Sequence, residues 1–192
     1  MCIPSIYQDE LGAVWLGTTE GLNRYNGKDV RVFQPSESNH GLTNNEINEL
    51  CGDKNGRMYI RSGNDLIKLD IYTEQFTCLR QKGVYGLFCK KDTLWVSCAD
   101  GIYYYTGQGT ELTFFARVQK GFVGRALYVD RETVWVVTRK YLVAISREDP
   151  LRQEILLTLD KGNCILGDSS GNIWVGAWNG LYRVSPDRET TA

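Results

Sequence analysis

Asn172-Ile173-Trp174-Val175-Gly176-Ala177-Trp178-Asn179-Gly180-Leu181-Tyr182-Arg183-Val184 reads as a strand, a two-residue Asn179-Gly180 turn and a second strand. Asn-Gly accepts the positive φ angles that a tight hairpin turn requires. The pattern recurs four times upstream. With Trp174 as the anchor, its counterparts are Trp15, Tyr59, Trp95 and Trp135, so successive anchors lie 44, 36, 40 and 39 residues apart. A period near 40 with two-residue alternation marks a propeller or another repeat array.

The register is tighter than the period. Seven residues after each anchor stands an aliphatic residue: Leu22, Leu66, Ile102, Leu142 and Leu181. The turn pairs just before it are Glu20-Gly21, Asn64-Asp65, Asp100-Gly101, Lys140-Tyr141 and Asn179-Gly180, of which only Lys140-Tyr141 departs from turn chemistry. One hairpin face carries the anchor ring, the aliphatic residue after the turn and a mostly small residue two positions past the anchor (Gly17, Ser97 and Gly176, against Arg61 and Val137). The other face carries Leu16, Ile60, Val96, Val136 and Val175, backed by Tyr25, Leu69, Tyr105, Ile145 and Val184. Both faces are apolar. A solvated sheet would show one polar face, so each hairpin is expected to be sandwiched between neighbours, as propeller blades are.

Each hairpin is preceded by a leading strand and a polar turn. The leading strands fall near residues 3–7, 47–51, 85–89, 125–129 and 164–167, and outer strands follow the first four hairpins near 30–33, 75–79, 112–115 and 154–157. After the fifth hairpin only the polar, Pro186-containing stretch 185–192 remains. The expectation is therefore an all-β chain of about five four-stranded antiparallel blades, the last lacking its outer strand. The repeats run roughly over 1–40, 41–82, 83–121, 122–160 and 161–192, in one partial propeller taken from a larger one.

Composition narrows the partners. The 192 residues hold 22 Lys plus Arg against 23 Asp plus Glu, for a net charge of −1, and 42% are apolar. That balance argues against a nucleic-acid or anionic-membrane surface, and no apolar run approaches the roughly 20 residues that span a bilayer. The opening Met1-Cys2-Ile3-Pro4-Ser5 has neither a basic nor an apolar segment, so no signal peptide is expected there.

Two phrases carry a family resemblance. Residues Tyr7-Gln8-Asp9-Glu10-Leu11-Gly12-Ala13-Val14-Trp15-Leu16-Gly17-Thr18-Thr19-Glu20-Gly21-Leu22-Asn23-Arg24-Tyr25 and Asp168-Ser169-Ser170-Gly171-Asn172-Ile173-Trp174-Val175-Gly176 closely resemble the two-component regulator propeller repeat. In that pattern Asp and Gly lead into Trp, then an aliphatic residue, Gly and Thr, and a Gly-Leu pair opens the next strand. Gly41-Leu42-Thr43-Asn44-Asn45-Glu46-Ile47 is similar to the family's link between blades. The middle repeats depart from it: Tyr59 replaces Trp, Arg61 and Val137 replace Gly, and Gly is lost before Leu142.

The resemblance implies a periplasmic sensor region of a hybrid two-component system, anchored in the inner membrane and found especially in gut Bacteroidetes. Such regions sense polysaccharide-derived oligosaccharides and signal to a histidine kinase and phosphorelay. The implied partners are an oligosaccharide ligand, the rest of the sensor propeller, a membrane-proximal domain and a second copy of the parent. No kinase, receiver or DNA-binding module can be read in this chain, which is expected to be non-catalytic and to bind no nucleic acid.

The residues themselves offer little reaction chemistry. His40, the sole histidine, sits in a polar linker and reads as solvated. The cysteines Cys2, Cys51, Cys78, Cys89, Cys98 and Cys164 form no Cys-x-x-Cys pair, Cys98 reads as a small core residue, and no disulfide, metal or cofactor is expected. Asp9, Asp53, Asp130 and Asp168 recur too regularly to be a catalytic set and read as turn initiators. Tyr103-Tyr104-Tyr105 reads as packing, with Tyr104 toward the anchor face.

Trp178 stands apart because Thr19, Gly63, Ala99 and Arg139 occupy its place in the other repeats. A large ring beside Asn179 at a turn combines apolar area with directional polar groups, which carbohydrate recognition uses. Arg139 and Lys140 form a small cationic point that could meet an acidic sugar, or be a solvated pair. The candidate ligand-binding residues are thus Trp178, Asn179, Arg139 and Lys140. Besides a ligand sensor, the sequence admits a protein-interaction scaffold with broad loop faces, or a propeller glycosidase or lyase with carboxylates converging on the axis.

Overall fold

The computed structural model describes residues 2–35, 41–80, 82–119 and 122–191, so His40 lies outside the described residues. Among the described residues twenty strands form five four-stranded antiparallel sheets, each in chain order. The first holds β1 (Ser5–Gln8), β2 (Val14–Thr18), β3 (Gly21–Tyr25) and β4 (Val30–Phe33). The second holds β5 (Ile47–Gly52), β6 (Arg57–Ser62), β7 (Asp65–Asp70) and β8 (Gln75–Arg80). The third comprises β9 (Val84–Lys90), β10 (Thr93–Cys98), β11 (Gly101–Tyr105) and β12 (Thr113–Ala116). The fourth comprises β13 (Gly124–Val129), β14 (Thr133–Thr138), β15 (Tyr141–Ser146) and β16 (Gln153–Thr158), and the fifth β17 (Cys164–Gly167), β18 (Ile173–Ala177), β19 (Gly180–Val184) and β20 (Thr190–Thr191). No helix among the described residues is long and apolar enough to cross a membrane.

Two details differ from the sequence reading. The fifth blade is not short of its outer strand, because β20 pairs with β19 through Arg183↔Thr191 and Val184↔Thr190. Pro186 sits in the turn rather than in the strand, where its missing N–H costs nothing, and Ser185 closes that turn by accepting the Glu189 N–H at 3.0 Å. The hairpin turns also lie one residue earlier than expected. Ala177 pairs with Gly180, so Trp178-Asn179 fills the turn and Gly180, with φ 148°, opens the next strand.

The shift explains the glycine at that strand start in the first and third repeats, where a Cβ on Gly101 would lie 2.7 Å from the Ala116 carbonyl oxygen; at Gly180 only the positive φ asks for it. A Cβ on Gly21 would lie 2.6 Å from the Phe33 carbonyl oxygen, so the outer strand approaches too closely for a side chain. In the fourth repeat Tyr141 replaces the glycine, and Thr138 holds the turn instead. Its Oγ1 accepts the Lys140 and Tyr141 N–H groups at 3.2 and 2.9 Å and donates to the Tyr141 carbonyl.

The chain divides into two compact units, residues 1–94 with 105–112 and residues 95–104 with 113–192, the division running through the third sheet. In the first unit Trp15, Leu22, Phe33, Ile47, Met58, Ile60, Ile67 and Leu69 form one buried cluster. Trp15 and Phe33 stack tilted at 5.7 Å between ring centres, and Phe33 meets Phe76 at the same distance. In the second unit Trp135, Val137, Leu142, Ala144, Leu159, Ile173, Val175 and Val184 do the same. Strand β14 is buried along its whole length, as the two apolar faces require. Cys98 is buried, Tyr104 packs on the anchor Trp95 at 5.6 Å, and Tyr103 meets Phe114 edge-on, so these residues serve packing.

The recurrent aspartates do more than start turns. Asp9 accepts the Leu11 and Ala13 N–H groups through one oxygen and the Trp15 indole N–H, at 2.7 Å, through the other. Asp130 and Asp168 brace Trp135 and Trp174 in the same way, at 2.6 and 2.9 Å. The Trp174 indole bond is the main reason the Asp168 carboxyl titrates low, at about 2. Where the anchor is Tyr59 there is no indole N–H, and the guanidinium of Arg57 donates to Asp53 instead.

The departing residues two places past the anchor are matched by what they face. Gly17 lies against the bulky Ile47, whereas Val137 lies against Gly162, whose hypothetical Cβ would be 2.7 Å from Val137 Cγ1. Arg61 carries a charge into this layer and finds Glu49, Nε to Oε2 at 3.4 Å, while Glu49 also accepts the Leu87 N–H at 3.1 Å. Burial still pushes the Glu49 carboxyl up from 4.5 to about 7, against the pull of Arg61.

A raised folded-state value means that this group favours folding fully below the ordinary carboxyl range and loses that contribution as pH rises through 7. The stability of the first unit is therefore expected to rise by about 1–2 kcal/mol from pH 8 to pH 5, a figure reduced for the 29% exposure of the side chain. In Glu49→Gln that rise should vanish from urea unfolding curves taken across the same range.

Candidate functional site

The candidate site lies in the second unit, where four separate stretches meet around a cavity of about 460 Å³. Its walls are Arg125 at the start of β13, Arg139 in the β14–β15 turn, residues 161–164 of the link into β17, and Gly176, Ala177 and Trp178 at the end of β18. Backbone bonds tie these stretches together. The Gly162 N–H donates to the Arg139 carbonyl at 3.1 Å, the Asn163 N–H to the Gly176 carbonyl at 3.0 Å, and the Trp178 N–H to the Asp160 carbonyl at 2.8 Å. The rim is thus fixed by main chain rather than by mobile side chains.

Glycine makes the closest approach possible. A Cβ on Gly162 would stand 2.4 Å from the Thr138 carbonyl oxygen, so the link can lie against the end of β14 only because that residue has no side chain. Lys161, just before it, has φ 49° and places its ammonium 4.9 Å from the centre of the Trp178 ring. That contact orients a lysine and an indole together at the cavity edge. The indole is 78% exposed, the Trp position that core packing leaves to solvent.

Of the four residues singled out from sequence, Arg139 and Trp178 line the cavity together. Asn179 does not line it: its Oδ1 accepts the Asp160 N–H at 3.2 Å and its Nδ2 donates to the Tyr182 hydroxyl at 2.7 Å, which fixes the turn that presents Trp178. Lys140 also lies outside the lining, with its backbone held by Thr138 and by the Leu159 N–H. Arg125, Lys161 and Asn163 escaped the sequence reading. They come from different repeat positions, and no periodic signal links residues joined only by blade stacking.

Among the described residues no cluster of His, Cys, Asp and Glu could hold a metal. Asp9, Asp53, Asp130 and Asp168 are each bound by donors of their own turn, which leaves them committed to structure.

The sequence matches no protein-family model and no curated protein. Solved structures match strongly. The extracellular domain of a hybrid two-component system from B. thetaiotaomicron shares 22% identity at a TM-score of 0.84, over 98% of this chain and 29% of that one. A second such domain from that organism shares 20% at 0.77, over 98% and 27%. Virginiamycin B lyase from Staphylococcus aureus shares 12% at 0.74, over 98% and 68%. The chain therefore spans less than a third of the length of the first two. It has the bladed β fold found in the extracellular domains of hybrid two-component systems.

Proposed function

We propose that the chain is part of the periplasmic sensor region of a hybrid two-component system, where it binds a polysaccharide-derived oligosaccharide without transforming it. The signal would pass through the rest of the sensor and a membrane-proximal domain to a histidine kinase, with two copies of the parent acting together. The observation that carries this reading is the exposed Trp178 indole set at the rim of a cavity with polar groups. A ring of that size offers a flat apolar face, while Asn163 and the guanidinium groups offer directional hydrogen bonds, the pairing that sugar rings need. The fold likeness supplies the setting, and the committed aspartates favour binding over hydrolysis.

A thermal-shift screen against oligosaccharides from plant and host glycans tests it. At 100 times the dissociation constant a ligand adds about 2.7 kcal/mol, or on the order of 5–10 °C in Tm for a domain of this size. A selective shift that disappears in Trp178→Ala is expected. No shift with any glycan would remove oligosaccharide recognition from this chain.

A further inference from the structure

The cavity walls carry charge of one sign. Arg125, Arg139 and Lys161 all line it, and its other lining residues, Gly162, Asn163, Cys164, Gly176, Ala177 and Trp178, bring no carboxylate. The chain as a whole has a net charge of −1, so this concentration of cations is local rather than a reflection of composition. Asp160 is the nearest acid in sequence. It engages the site through its backbone, giving its carbonyl to Trp178 and its N–H to Asn179, and its side chain is not part of the lining.

Like charges gathered in a concave site repel one another, and low-dielectric walls strengthen their joint field. The arrangement becomes favourable when an anion enters. Two guanidinium groups offer planar forks that match carboxylate or sulfate oxygens in pairs, and an ammonium adds a point charge. Beside them stands the exposed indole, whose face suits a pyranose ring rather than a bare ion. The cavity, at about 460 Å³, lies within the usual range for small-molecule sites and exceeds what a lone inorganic anion would fill.

We propose that this cavity binds an acidic sugar residue, with Arg125, Arg139 and Lys161 receiving a carboxylate or sulfate group and Trp178 stacking on the ring that bears it. The inference rests on the oligosaccharide-sensing reading and narrows it to anionic glycans. Arg139 is the centre of the site because its own carbonyl anchors the link that carries Lys161. Lys161 is held at the edge by the indole, so binding a ring on Trp178 also places that ring beside a positive charge.

Isothermal titration of the whole chain with three probes tests this: an oligogalacturonide tetrasaccharide, a heparin-derived tetrasaccharide and a neutral xylotetraose. Binding of at least one acidic probe is expected, weakening as salt is raised, with no binding of the neutral one. Which acidic probe binds distinguishes carboxylate from sulfate. Arg139→Gln and Lys161→Gln, both surface changes that leave the core untouched, should each weaken it by about tenfold or more. Trp178→Ala should weaken it as well.

Equal or stronger binding of xylotetraose would overturn the acidic assignment while leaving oligosaccharide sensing intact. Acidic binding untouched by Arg139→Gln and Lys161→Gln would place the anion elsewhere and overturn the site. Failure of all three probes, and of the wider glycan screen, would overturn both readings.

Discussion

Asp9→Ala is expected to lower the stability of the first unit by about 3 kcal/mol, read as a drop in the urea midpoint. Asp9 is 4% exposed and accepts three bonds, from the Leu11 and Ala13 N–H groups and from the Trp15 indole. Truncation leaves all three donors without that acceptor, two of them away from water. A buried unpaired donor costs about 1–3 kcal/mol, and bonds to a charged acceptor stand at the upper end. Trp15→Phe removes the donor and keeps most of the ring, so it should cost less, about 1–2 kcal/mol, from the unmatched carboxylate oxygen and a small void.

The two changes share one interaction and should not add. In the double variant the loss should fall short of the sum by about 1 kcal/mol. Strict additivity would show that Asp9 serves only its turn and that the indole bond contributes nothing. The second repeat supplies the natural comparison, since Tyr59 lacks the donor there and Arg57 takes its place on Asp53. Carrying that exchange into the first repeat would need a guanidinium where the buried Ala13 now stands.

This brace also marks the boundary of what could be read from the chain. The anchor rings, the aliphatic residue seven places on and the doubly apolar hairpins were legible because a fixed period forces each blade to repeat the same chemistry. The aspartate before four of the five anchors was visible as a turn residue, but the reach of its second oxygen to the indole of Trp15, Trp135 and Trp174 was not, because that bond depends on how the turn folds over the strand. The outer strand of the fifth sheet was hidden for another reason. It is two residues long, and Thr190-Thr191 after Pro186 gives no alternation to recognise.

The cavity divides along the same line. Trp178 was legible as the one large ring where its counterparts hold Thr19, Gly63, Ala99 and Arg139. Its loop neighbours Asn179 and Lys140 were grouped with it by adjacency in sequence, whereas the structure groups Trp178 with Arg139, Arg125 and Lys161 by adjacency across strands. Propellers place consecutive repeats side by side, so a site on them collects residues about one period apart. Arg125 and Lys161 lie 36 residues apart in the sequence, three fewer than the anchors Trp135 and Trp174, so they occupy neighbouring rather than equivalent positions of adjacent repeats.

Gly17→Val is expected to cost about 3 kcal/mol or more, and for a reason tied to how blades meet. A Cβ at this position lies 2.9 Å from both Cγ2 and the carbonyl oxygen of Ile47, which is fully buried. The methyl group can shift; the carbonyl belongs to β5 and moves only with its strand. Replacing a strand glycine with a β-branched residue normally gains about 0.5–1 kcal/mol in propensity, so the clash must outweigh a real benefit. Overpacking costs of about 1–3 kcal/mol for a few added methyl groups make the clash the larger effect.

Ile47→Ala opens a cavity and costs stability of its own, but combined with Gly17→Val the loss should fall short of the sum of the two, since it clears Cγ2 and leaves the carbonyl. The matched control is Gly176→Ala in the fifth repeat. There the new Cβ meets only the Cys164 sulfur, at 2.5 Å, and that thiol is exposed and free to rotate away. Glycine to alanine at this repeat position should therefore cost about 2 kcal/mol in Gly17→Ala, less than in Gly17→Val, and less than about 1 kcal/mol in Gly176→Ala. Equal losses at the two sites would mean that the glycine answers to backbone conformation within the hairpin. Unequal losses in this order would locate its role in the approach of the following blade, where Val137 against Gly162 solves the same problem with the sizes exchanged.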